Sequence, residues 1–297
     1  MIILNKWTIL GGDGRQIALL HLLREKGISV SAWGIGEEST ETDWRNAVRD
    51  AEVILLPLPS SGDGVRIRSP FREGLGLRFS CLLETLSPNT LICGGRLPQI
   101  WVEQARQARL RVLDYFDSEA LQLRNALPTV EGAILLALQA LPVTLDGCEI
   151  AVLGYGRIAS LLAEKLTALG AIVTVYARKE RDLIHARLRH CQSVHLCGSD
   201  ERSSLCGLSK SCRMVINTVP VPLITEPILQ CWPKTCLLME LASLPGGFDI
   251  AAAERLGFAR IMAAALPGKY FPETAGKILG ETLIELVHAA NTEDERN

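Results

Sequence analysis

One glycine turn constrains the fold of this chain more than any other feature. The apolar run Ile150 to Leu153 leads into Gly154-Tyr155-Gly156-Arg157-Ile158-Ala159, a helical pattern follows, and Ile172 to Tyr176 forms a second apolar run. A strand, a glycine turn, a helix and a strand in this order are typical of a Rossmann dinucleotide-binding unit. The pattern therefore predicts a bound dinucleotide, and a glycine turn with a purely structural role is the alternative.

The residues of this turn have separate roles in that interpretation. Gly154 permits the tight turn, Gly156 lets the backbone approach a pyrophosphate, and Ala159 keeps the helix close to the strand. Free N–H groups at the helix N-terminus then bind the phosphates. The predicted cofactor-binding residues of the turn are Gly154, Tyr155, Gly156, Arg157 and Ile158.

The tip of the second strand bears on the choice of cofactor. An NAD site usually has an acidic residue about 20 positions past the glycines, where it binds the ribose 2′-hydroxyl. Here Arg178 and Lys179 follow the strand instead. Two cations favour the 2′-phosphate of NADP(H), with solvated loop charges as the alternative. Glu180 is close enough to the strand tip to bind a ribose 2′-hydroxyl, so an NAD site is the alternative.

Composition narrows the classes of function. A length of 297 residues suggests two domains, and 48% hydrophobic with 22% charged residues favours a sizeable core. A net charge of −2 gives no reason to expect nucleic acid or an anionic membrane as a partner. We find no apolar run long enough to span a bilayer and no signal peptide, so we expect a cytoplasmic protein.

The cysteines and histidines do not predict a metal site. The chain has nine cysteines, an odd number that favours free thiols over a disulfide framework in a cytoplasmic protein. One region is rich in potential ligands but lacks the paired close spacings of a zinc site. Its members are His185, His190, Cys191, His195, Cys197, Cys206 and Cys212.

Strands also alternate with helices in the first half of the chain, which predicts a second parallel sheet with helices on both faces. The fold class is therefore α/β, with two doubly wound parallel-sheet domains joined by a long connecting helix. The predicted divisions are a substrate-side domain over 1–124, the connecting helix over 125–145, the Rossmann domain over 146–268, and a C-terminal helix over 269–297 that packs back on the first domain.

Ligands of such sheets bind beyond the carboxyl ends of the strands. In the first domain these ends lead into Gly11 to Gln16, Ser60 to Arg66 and Gly94 to Arg96. The turn Gly11-Gly12-Asp13-Gly14-Arg15 lacks the register of a dinucleotide loop. We interpret it as an anion site at a helix N-terminus, with Arg15 adding charge, or as a tight turn alone.

The segment Asn125 to Leu141 predicts the connecting helix. Asn125 or Thr129 would cap it, Pro128 suits its first turn, and Glu131 complements its dipole. This helix would place Asn125, Thr129 and Glu131 near the interdomain cleft, and capping alone is the alternative. In the Rossmann domain, later strand ends would line the nicotinamide side of the cofactor. The residues predicted there are Thr218, Val219, Pro220 and Ala242.

Six segments together resemble one family. They are ILGGDGRQ, LPTVEGAILLAL, AVLGYGRIA, INTVP, LASLPGG and LPGKYFPETAGKIL. From about residue 7 to residue 290 the chain is similar to the A subunits of dipicolinate synthase. It departs from that pattern at Glu240, where Asp is expected, and in the bulkier run Lys269-Tyr270-Phe271.

The resemblance implies a reaction and a partner. The reaction is the NAD(P)-linked oxidation of dihydrodipicolinate, or of its hydroxylated tetrahydro precursor, to dipicolinate. The partner is a flavoprotein B subunit, and the compartment is the mother-cell cytoplasm of a sporulating bacterium. Whether the chain also forms a homo-oligomer is left open by the sequence.

A substrate with two carboxylates calls for cations, hydroxyl groups and helix N-termini. The candidate for proton transfer is Glu131. The candidate substrate-binding residues are Arg15, Ser60, Ser61, Arg66, Arg96, Thr129, Lys269 and Thr274.

Two alternatives remain. One is another NADP-dependent two-domain dehydrogenase, although the segment Ala259 to Thr274 has no histidine for hydroxy-acid chemistry and Tyr115 has no lysine near it for folate chemistry. The other is a non-catalytic NADP(H)-binding subunit that serves as a scaffold or sensor, because no unmistakable catalytic residue stands out.

Overall fold

The computed structural model describes residues 6–72, 76–197 and 201–294. The chain divides into two units, unit 1 (Met1–Asn125 with Pro267–Asn297) and unit 2 (Ala126–Leu266). Each unit is built on one parallel sheet, which confirms the predicted fold class. No described helix combines the length and the apolar character that crossing a bilayer requires.

The sheet of unit 1 has five strands in the order β2-β1-β3-β4-β5. Their ranges are β1 (Lys6–Leu10), β2 (Ser29–Trp33), β3 (Val53–Leu55), β4 (Leu91–Gly94) and β5 (Arg111–Asp114). This is the flavodoxin-like order, in which the chain reverses direction across the sheet between β1 and β3. The carboxyl ends of β1 and β3 therefore mark the place where a ligand is expected.

Helices cover both faces of this sheet. Their ranges are α1 (Gly14–Glu25), α2 (Trp44–Ala47), α3 (Phe79–Leu83), α4 (Gln99–Gln107), α5 (Glu119–Ala140) and α12 (Pro272–Asp294). Side chains alternate between the faces of a strand. Ile9 accordingly packs in the core with α1 and α12, whereas Leu10 packs with α3 and α4. In the second core the rings of Phe79 and Trp101 stack with centroids 4.2 Å apart.

The C-terminal helix α12 lies directly against α1. A Cβ on Gly276 would collide with the Arg15 carbonyl oxygen, and a Cβ on Gly280 would come within 2.5 Å of Leu22 Cδ2. The two glycines therefore allow a close contact between the helices, with Leu279 and Leu283 filling the adjoining core. The PETAG segment thus has a packing role within unit 1.

The connecting helix begins earlier than its sequence suggests. Helix α5 begins at Glu119 and contains Pro128 in its interior, so the prediction that Asn125 or Thr129 caps it is wrong. Ser118 precedes the helix, and its Oγ accepts a hydrogen bond from the Leu121 N–H at 3.3 Å. Strong helix formers occupy 119–127, and buried side chains recur at helical spacing on both sides of the proline. These are Leu121, Ala126, Val130, Ala133 and Ala137. The division between the units falls within this helix.

The sheet of unit 2 has six strands in the order β11-β10-β9-β6-β7-β8. Their ranges are β6 (Glu149–Leu153), β7 (Ile172–Ala177), β8 (Gln192–His195), β9 (Met214–Asn217), β10 (Leu237–Glu240) and β11 (Arg260–Met262). Read from the other edge, this is the 3-2-1-4-5-6 order of the Rossmann fold. The strand order reverses between β6 and β9.

Five helices lie wholly within the described part of unit 2. They are α6 (Arg157–Ala168), α7 (Glu180–Leu188), α8 (Glu201–Cys206), α9 (Glu226–Leu229) and α10 (Ile250–Arg255), and α11 (Leu266–Tyr270) follows at the boundary. One core of the unit packs α8, α9 and α10 against the sheet, with Trp232 and Phe258 among its largest members. The indole of Trp232 donates to the Leu205 carbonyl oxygen at 2.8 Å, which satisfies its buried N–H.

Candidate functional site

The glycine turn of unit 2 lies at the reversal point of its sheet. Strands β6 and β9 are adjacent, and Leu153 is paired with Asn217 at their carboxyl ends. Gly154 has φ +93°, and a Cβ on it would come within 2.6 Å of Thr218 Oγ1. Thr218 Oγ1 donates to the Leu153 carbonyl oxygen at 2.8 Å. Only glycine therefore suits the first position of the turn.

The N-terminus of α6 is open to a ligand. Its N-cap is Gly156, in extended backbone conformation, and no described side chain caps the helix. A Cβ built on Gly156 meets no atom within 4 Å among the described residues. Arg157 and Ile158 form the first helical positions. Backbone N–H groups at a helix start attract anions, so this end of α6 suits a pyrophosphate.

Tyr155 differs from its neighbours in the turn because its side chain points inward. Its hydroxyl oxygen is buried. Burial raises the pKa of Tyr155, while the positive charge of Arg189 acts in the opposite direction. The phenol is therefore neutral at ordinary pH.

The strand tip predicted to choose the cofactor carries one paired cation. Arg178 donates through Nε and Nη2 to Glu201 Oε1 at 3.2 and 3.0 Å. Lys179 is exposed at the N-cap position of α7. Glu180, the residue that kept an NAD site open, instead accepts from Arg187 at 2.9 Å. A phosphate at this tip would meet Arg178 and Lys179, with Glu201 as a competing anion.

Two buried polar residues that were not among the predicted site residues organise the turns after β9 and β10. The exposed fractions of Asn217 and Glu240 are 0% and 4%. Glu240 Oε1 accepts from Asn217 Nδ2 at 2.7 Å and from the Ala242 N–H at 3.0 Å. Asn217 Oδ1 accepts from the Val219 N–H at 3.1 Å. Each polar residue ends an otherwise apolar strand, and that is the signal by which they could have been found.

The predicted residues of these turns follow from this network. The backbone of Val219 is fixed by Asn217, and that of Ala242 by Glu240. Thr218 bonds to the end of β6, and Pro220 is exposed beyond it. The structure thus brings Thr218, Val219 and Gly154 together, whereas Ala242 lies on the neighbouring turn.

The reversal point of unit 1 is built differently. Gly11 and Gly12 follow β1, and Asp13 caps α1 in a capping box with Gln16. Asp13 also pairs with two arginines. Arg15 donates to it through Nε and Nη2 at 2.9 and 2.8 Å, and Arg68 donates through Nη1 at 3.3 Å. The Asp13 side chain therefore already places a carboxylate at the N-terminus of α1.

Burial and pairing act against each other in this cluster. Burial by itself would raise the pKa of Asp13, but the hydrogen bonds and charge of Arg15 outweigh it and lower that pKa, with Arg68 assisting. Burial would likewise lower the pKa of Arg15, and Asp13 outweighs it. Asp13 and Arg15 are therefore both charged at neutral pH. Two arginines with one aspartate give the cluster a formal net charge of +1.

Arg15 was predicted to bind substrate, but its guanidinium is mostly engaged within the protein. Besides its bonds to Asp13, Nη2 donates to the Leu58 carbonyl oxygen at 2.5 Å, and the side chain is 8% exposed. Arg68 is 31% exposed. Of the two arginines, Arg68 is the one that solvent or a ligand can reach.

Ser60 also differs from the expectation that it faces a substrate. It is 0% exposed. Its hydroxyl lies within hydrogen-bond distance of the Pro57 and Gly95 carbonyl oxygens and accepts from the Gly95 N–H at 3.0 Å. Ser61 closes its own loop through a bond to the Arg66 carbonyl oxygen at 2.7 Å. Both serines hold the loop between β3 and Arg68 in shape.

The remaining predicted residues of unit 1 are more exposed. Arg66 and Thr274 are exposed. Arg96 has φ +52°, and its guanidinium lies 4.6 Å from the Phe116 ring centroid. Lys269 is exposed, and its Nζ lies 5.1 Å from the Tyr270 ring centroid. These residues add positive charge and one hydroxyl group to the surface of unit 1.

The candidates on α5 lie in unit 2. Glu131 is 49% exposed, and its Oε1 is 4.0 Å from Lys165 Nζ. Thr129 is half-buried on the same helix. The role of Glu131 in proton transfer stays a prediction.

The cysteines contain one exception to the expected free thiols. Cys206 and Cys231 form a disulfide in unit 2, whereas the seven remaining cysteines are free. The pairing is local, because α8 and α9 pack together in one core. Among the described residues no group of three or more histidine, cysteine or acidic side chains is arranged to hold a metal ion.

Comparisons with known proteins point to one family over nearly the whole chain. The family model for the N-terminal domain of the dipicolinate synthase A subunit matches residues 6–116. The A subunit of dipicolinate synthase from Bacillus subtilis (strain 168) is 29% identical over 300 residues, covering 97% of this chain and 98% of that protein. The resemblance to these A subunits is thus confirmed in sequence.

Solved structures agree. The crystal structure of the dipicolinate synthase A subunit from Bacillus subtilis has a TM-score of 0.82 at 28% identity and covers 99% of both chains. That of the A subunit from Bacillus halodurans has the same TM-score at 26% identity, covering 96% of this chain and 98% of the other. The resemblance therefore extends to the fold of both units.

Proposed function

We propose that this chain is an NAD(P)-dependent oxidoreductase that binds its dinucleotide at the glycine turn of unit 2. One observation carries the proposal: α6 starts at the reversal point of a Rossmann-ordered sheet without a side-chain cap, at a glycine with open space around it. The pyrophosphate would bind the N–H groups of Gly156, Arg157 and Ile158. When bound, the nicotinamide accepts a hydride from the substrate.

The proposed cofactor is NADP(H), with NAD as the alternative. Arg178 and Lys179 would bind the 2′-phosphate at the end of β7, where an NAD site usually has an acidic residue. The support is that Arg178 and Lys179 are exposed at the strand tip, while Glu180 is turned toward Arg187. The turns carrying Thr218, Val219, Pro220 and Ala242 would lie along the nicotinamide half.

The proposed substrate is dihydrodipicolinate or its hydroxylated tetrahydro precursor, and the product is dipicolinate. Oxidation of the dihydro ring removes one hydride and one proton and leaves an aromatic pyridine. The hydroxylated precursor must first lose water, a step that needs a general acid. The protein therefore has to orient a dicarboxylate and neutralise its charge. The net charge of +1 on Asp13, Arg15 and Arg68 supports this assignment. Arg66, Arg96 and Lys269 are further cations for the carboxylates, and Thr129, Thr274 and Ser61 are candidate hydroxyl donors.

Glu131 is the proposed group for proton transfer. The support is that this carboxylate is half exposed, with its Oε1 4.0 Å from Lys165 Nζ, so it can exchange protons with solvent. The proposed partner is the flavoprotein B subunit, and the proposed setting is the mother-cell cytoplasm of a sporulating bacterium. The support for a partner is that the relatives are named as A subunits.

The test uses the purified full chain with dihydrodipicolinate and either NADP⁺ or NAD⁺. We expect reduced-nicotinamide absorbance and dipicolinate to appear in equal amounts, with NADP⁺ the better acceptor. Boiled protein and omission of the substrate are the controls. Failure of the chain to bind either dinucleotide by titration calorimetry would overturn the proposal.

A second function is a non-catalytic NADP(H)-binding subunit. The observation that favours it is the internal pairing of the predicted substrate residues, since Ser60 is buried and Arg15 is engaged by Asp13. If the chain binds NADP(H) but reduced nicotinamide forms only when the B subunit is added, catalysis by this chain alone is wrong and the second function holds.

A further inference from the structure

We propose that Glu240 is a positioning residue that holds the nicotinamide half of the dinucleotide site in shape. The proposal rests on the proposed function, because it assigns a role within the same site. It concerns the two turns that follow β9 and β10, which are 217–220 and 242–248. No contact of Glu240 with the cofactor is required.

The carboxylate of Glu240 is buried and fully used. Oε1 accepts from Asn217 Nδ2 at 2.7 Å and from the Ala242 N–H at 3.0 Å. Oε2 accepts from the Gly247 N–H at 2.8 Å and from the Phe248 N–H at 3.3 Å. An ionised carboxylate only accepts hydrogen bonds, so each oxygen matches the two donors that face it.

Three of these donors belong to one turn. Ala242, Gly247 and Phe248 lie at its two ends, so the carboxylate closes the turn at its base. Its tip is left to solvent, where Leu244 is 89% exposed. Gly247 also permits the contact, because a Cβ there would collide with the Asn217 side chain.

The fourth donor connects this turn to its neighbour. Asn217 Nδ2 donates both to Glu240 and to the Val219 carbonyl oxygen, the latter at 2.9 Å, and Asn217 Oδ1 accepts from the Val219 N–H at 3.1 Å. The amide therefore shapes the turn after β9 while it binds the carboxylate at the end of β10. This pair of side chains adds to the backbone connection between the two turns, in which the Leu241 N–H donates to the Asn217 carbonyl oxygen at 2.9 Å.

The position of Asn217 and Glu240 in the sheet indicates which half of the cofactor binds next to them. A Rossmann sheet consists of two mononucleotide-binding halves on either side of the reversal point. Strands β6, β7 and β8 form the half with the glycine turn and Arg178, and β9, β10 and β11 form the other. Asn217 and Glu240 lie in the second half, which receives the nicotinamide mononucleotide.

Glu240→Gln tests this role, because it keeps the size of the side chain and replaces one oxygen by an amide. Whichever oxygen is replaced, the new N–H₂ group would face two donors. We expect the calorimetric Kd for NADPH to weaken about tenfold, as for an unsatisfied buried group. The probe for the other half is adenosine 2′,5′-bisphosphate, which lacks the nicotinamide, and its Kd is expected to stay unchanged.

Two further variants serve as controls. Glu149→Gln also alters a hydrogen-bonded carboxylate, one that bonds Ser211 at the opposite end of β6, and it should leave both affinities unchanged. Glu240→Asp keeps both acceptors on a shorter side chain and should restore part of the NADPH affinity. If Glu240→Gln does not fold, Asn217→Ser removes the side-chain connection between the turns and should show the same split between the two probes.

The outcomes separate the two proposals. A wild-type chain that binds neither probe contradicts the proposed function. A wild-type chain that binds both, with a Glu240→Gln variant that weakens both equally or neither, contradicts the positioning role and leaves the proposed function intact.

Discussion

The two glycine turns of this protein lie at equivalent places in their sheets, but only the turn of unit 1 is followed by a helix that an acidic side chain caps. Each follows the first strand of its sheet, leads into a 12-residue helix, and lies where the strand order reverses. In unit 1 the helix is capped by Asp13, which also binds Arg15 and Arg68. In unit 2 the cap is Gly156, and no described side chain takes the place of a ligand.

The difference shows what a glycine-rich turn needs before it can bind a phosphate. Both helices offer N–H groups to an anion, but α1 already receives one from its own chain. A second anion close to Asp13 would face like-charge repulsion. A dinucleotide is therefore expected at unit 2, and at unit 1 only a group that approaches the outer arginine, Arg68.

The largest expected effect comes from removing the anion of unit 1. Asp13→Asn keeps a side chain that can cap α1 but leaves the buried Arg15 without its charge partner. We expect a loss of about 3 kcal/mol in the free energy of unfolding, because a buried charge is left unpaired. Urea unfolding followed by tryptophan fluorescence measures it, since Trp7, Trp33, Trp44 and Trp101 belong to unit 1.

The matched control is Asp43→Asn. Asp43 also caps a helix and pairs with an arginine, but its side chain is 48% exposed. Its loss should be below about 1 kcal/mol, as for other exposed pairs. Equal losses for the two variants would show that the Asp13 cluster adds nothing beyond a helix cap.

The same pair predicts a pH dependence with a definite sign. The pKa of Asp13 lies below its ordinary value of 3.8 in the folded protein. Its contribution to stability is therefore complete above pH 3.8 and is lost as the pH falls through the lower folded pKa. The difference in unfolding free energy between wild type and Asp13→Asn should be constant above pH 3.8 and shrink only at lower pH.

The next effect comes from giving unit 2 the anion of unit 1. Gly156→Asp places a carboxylate at the N-cap of α6, where it would bind the N–H groups and repel a pyrophosphate. We expect the Kd for NADPH to rise about 100-fold, in line with the several kcal/mol that like charges cost in an interface. The melting temperature should hold or rise slightly, because aspartate is a good N-cap.

Gly156→Ala separates charge from bulk in this experiment. The backbone at Gly156 has φ −78° and a Cβ there meets no described atom, so alanine fits. Alanine should weaken NADPH binding less than aspartate does. If both substitutions weaken NADPH binding equally, the binding depends on close approach of the backbone at Gly156 and not on the uncapped N-terminus of α6.

The sequence patterns predicted the framework of both units because strands and glycine turns leave local signals. Strands β6 and β7 coincide with the predicted apolar runs Ile150 to Leu153 and Ile172 to Tyr176. The sequence pattern places the start of α5 too late, because a proline is typical of the first turn of a helix, whereas Pro128 lies in the interior of α5. Tertiary packing retains a proline in a helix whose buried face is continuous on both sides.

The candidate site was predicted less completely because its decisive contacts are long-range. The glycines of unit 2 follow from spacing alone. The bond from Arg68 to Asp13 joins residues 55 positions apart, and that from Asn217 to Glu240 joins residues 23 positions apart. The sequence predicts that Ser60 faces a ligand because it follows a strand, but a hydroxyl at such a place bonds equally well to the backbone around it.

The smallest expected effect concerns Glu201, the described acidic residue that pairs with Arg178. Glu201 occupies Arg178 through bonds of 3.2 and 3.0 Å, and the arginine side chain is 61% exposed. A 2′-phosphate that binds Arg178 has to compete with this carboxylate. Glu201→Gln should therefore tighten NADPH binding about twofold to threefold, the scale of an exposed ion pair, and leave NADH binding unchanged.

Glu180→Gln is the matched control for this last comparison. Glu180 begins the neighbouring helix and pairs with Arg187 at 2.9 Å instead of with Arg178. Calorimetric titration of both nucleotides into both variants gives the result. A gain for Glu201→Gln that is equal for NADH and NADPH would show that Arg178 does not bind the 2′-phosphate. An equal gain in both variants would reflect general loss of negative charge, because exposed carboxylates repel any anionic ligand within a Debye length.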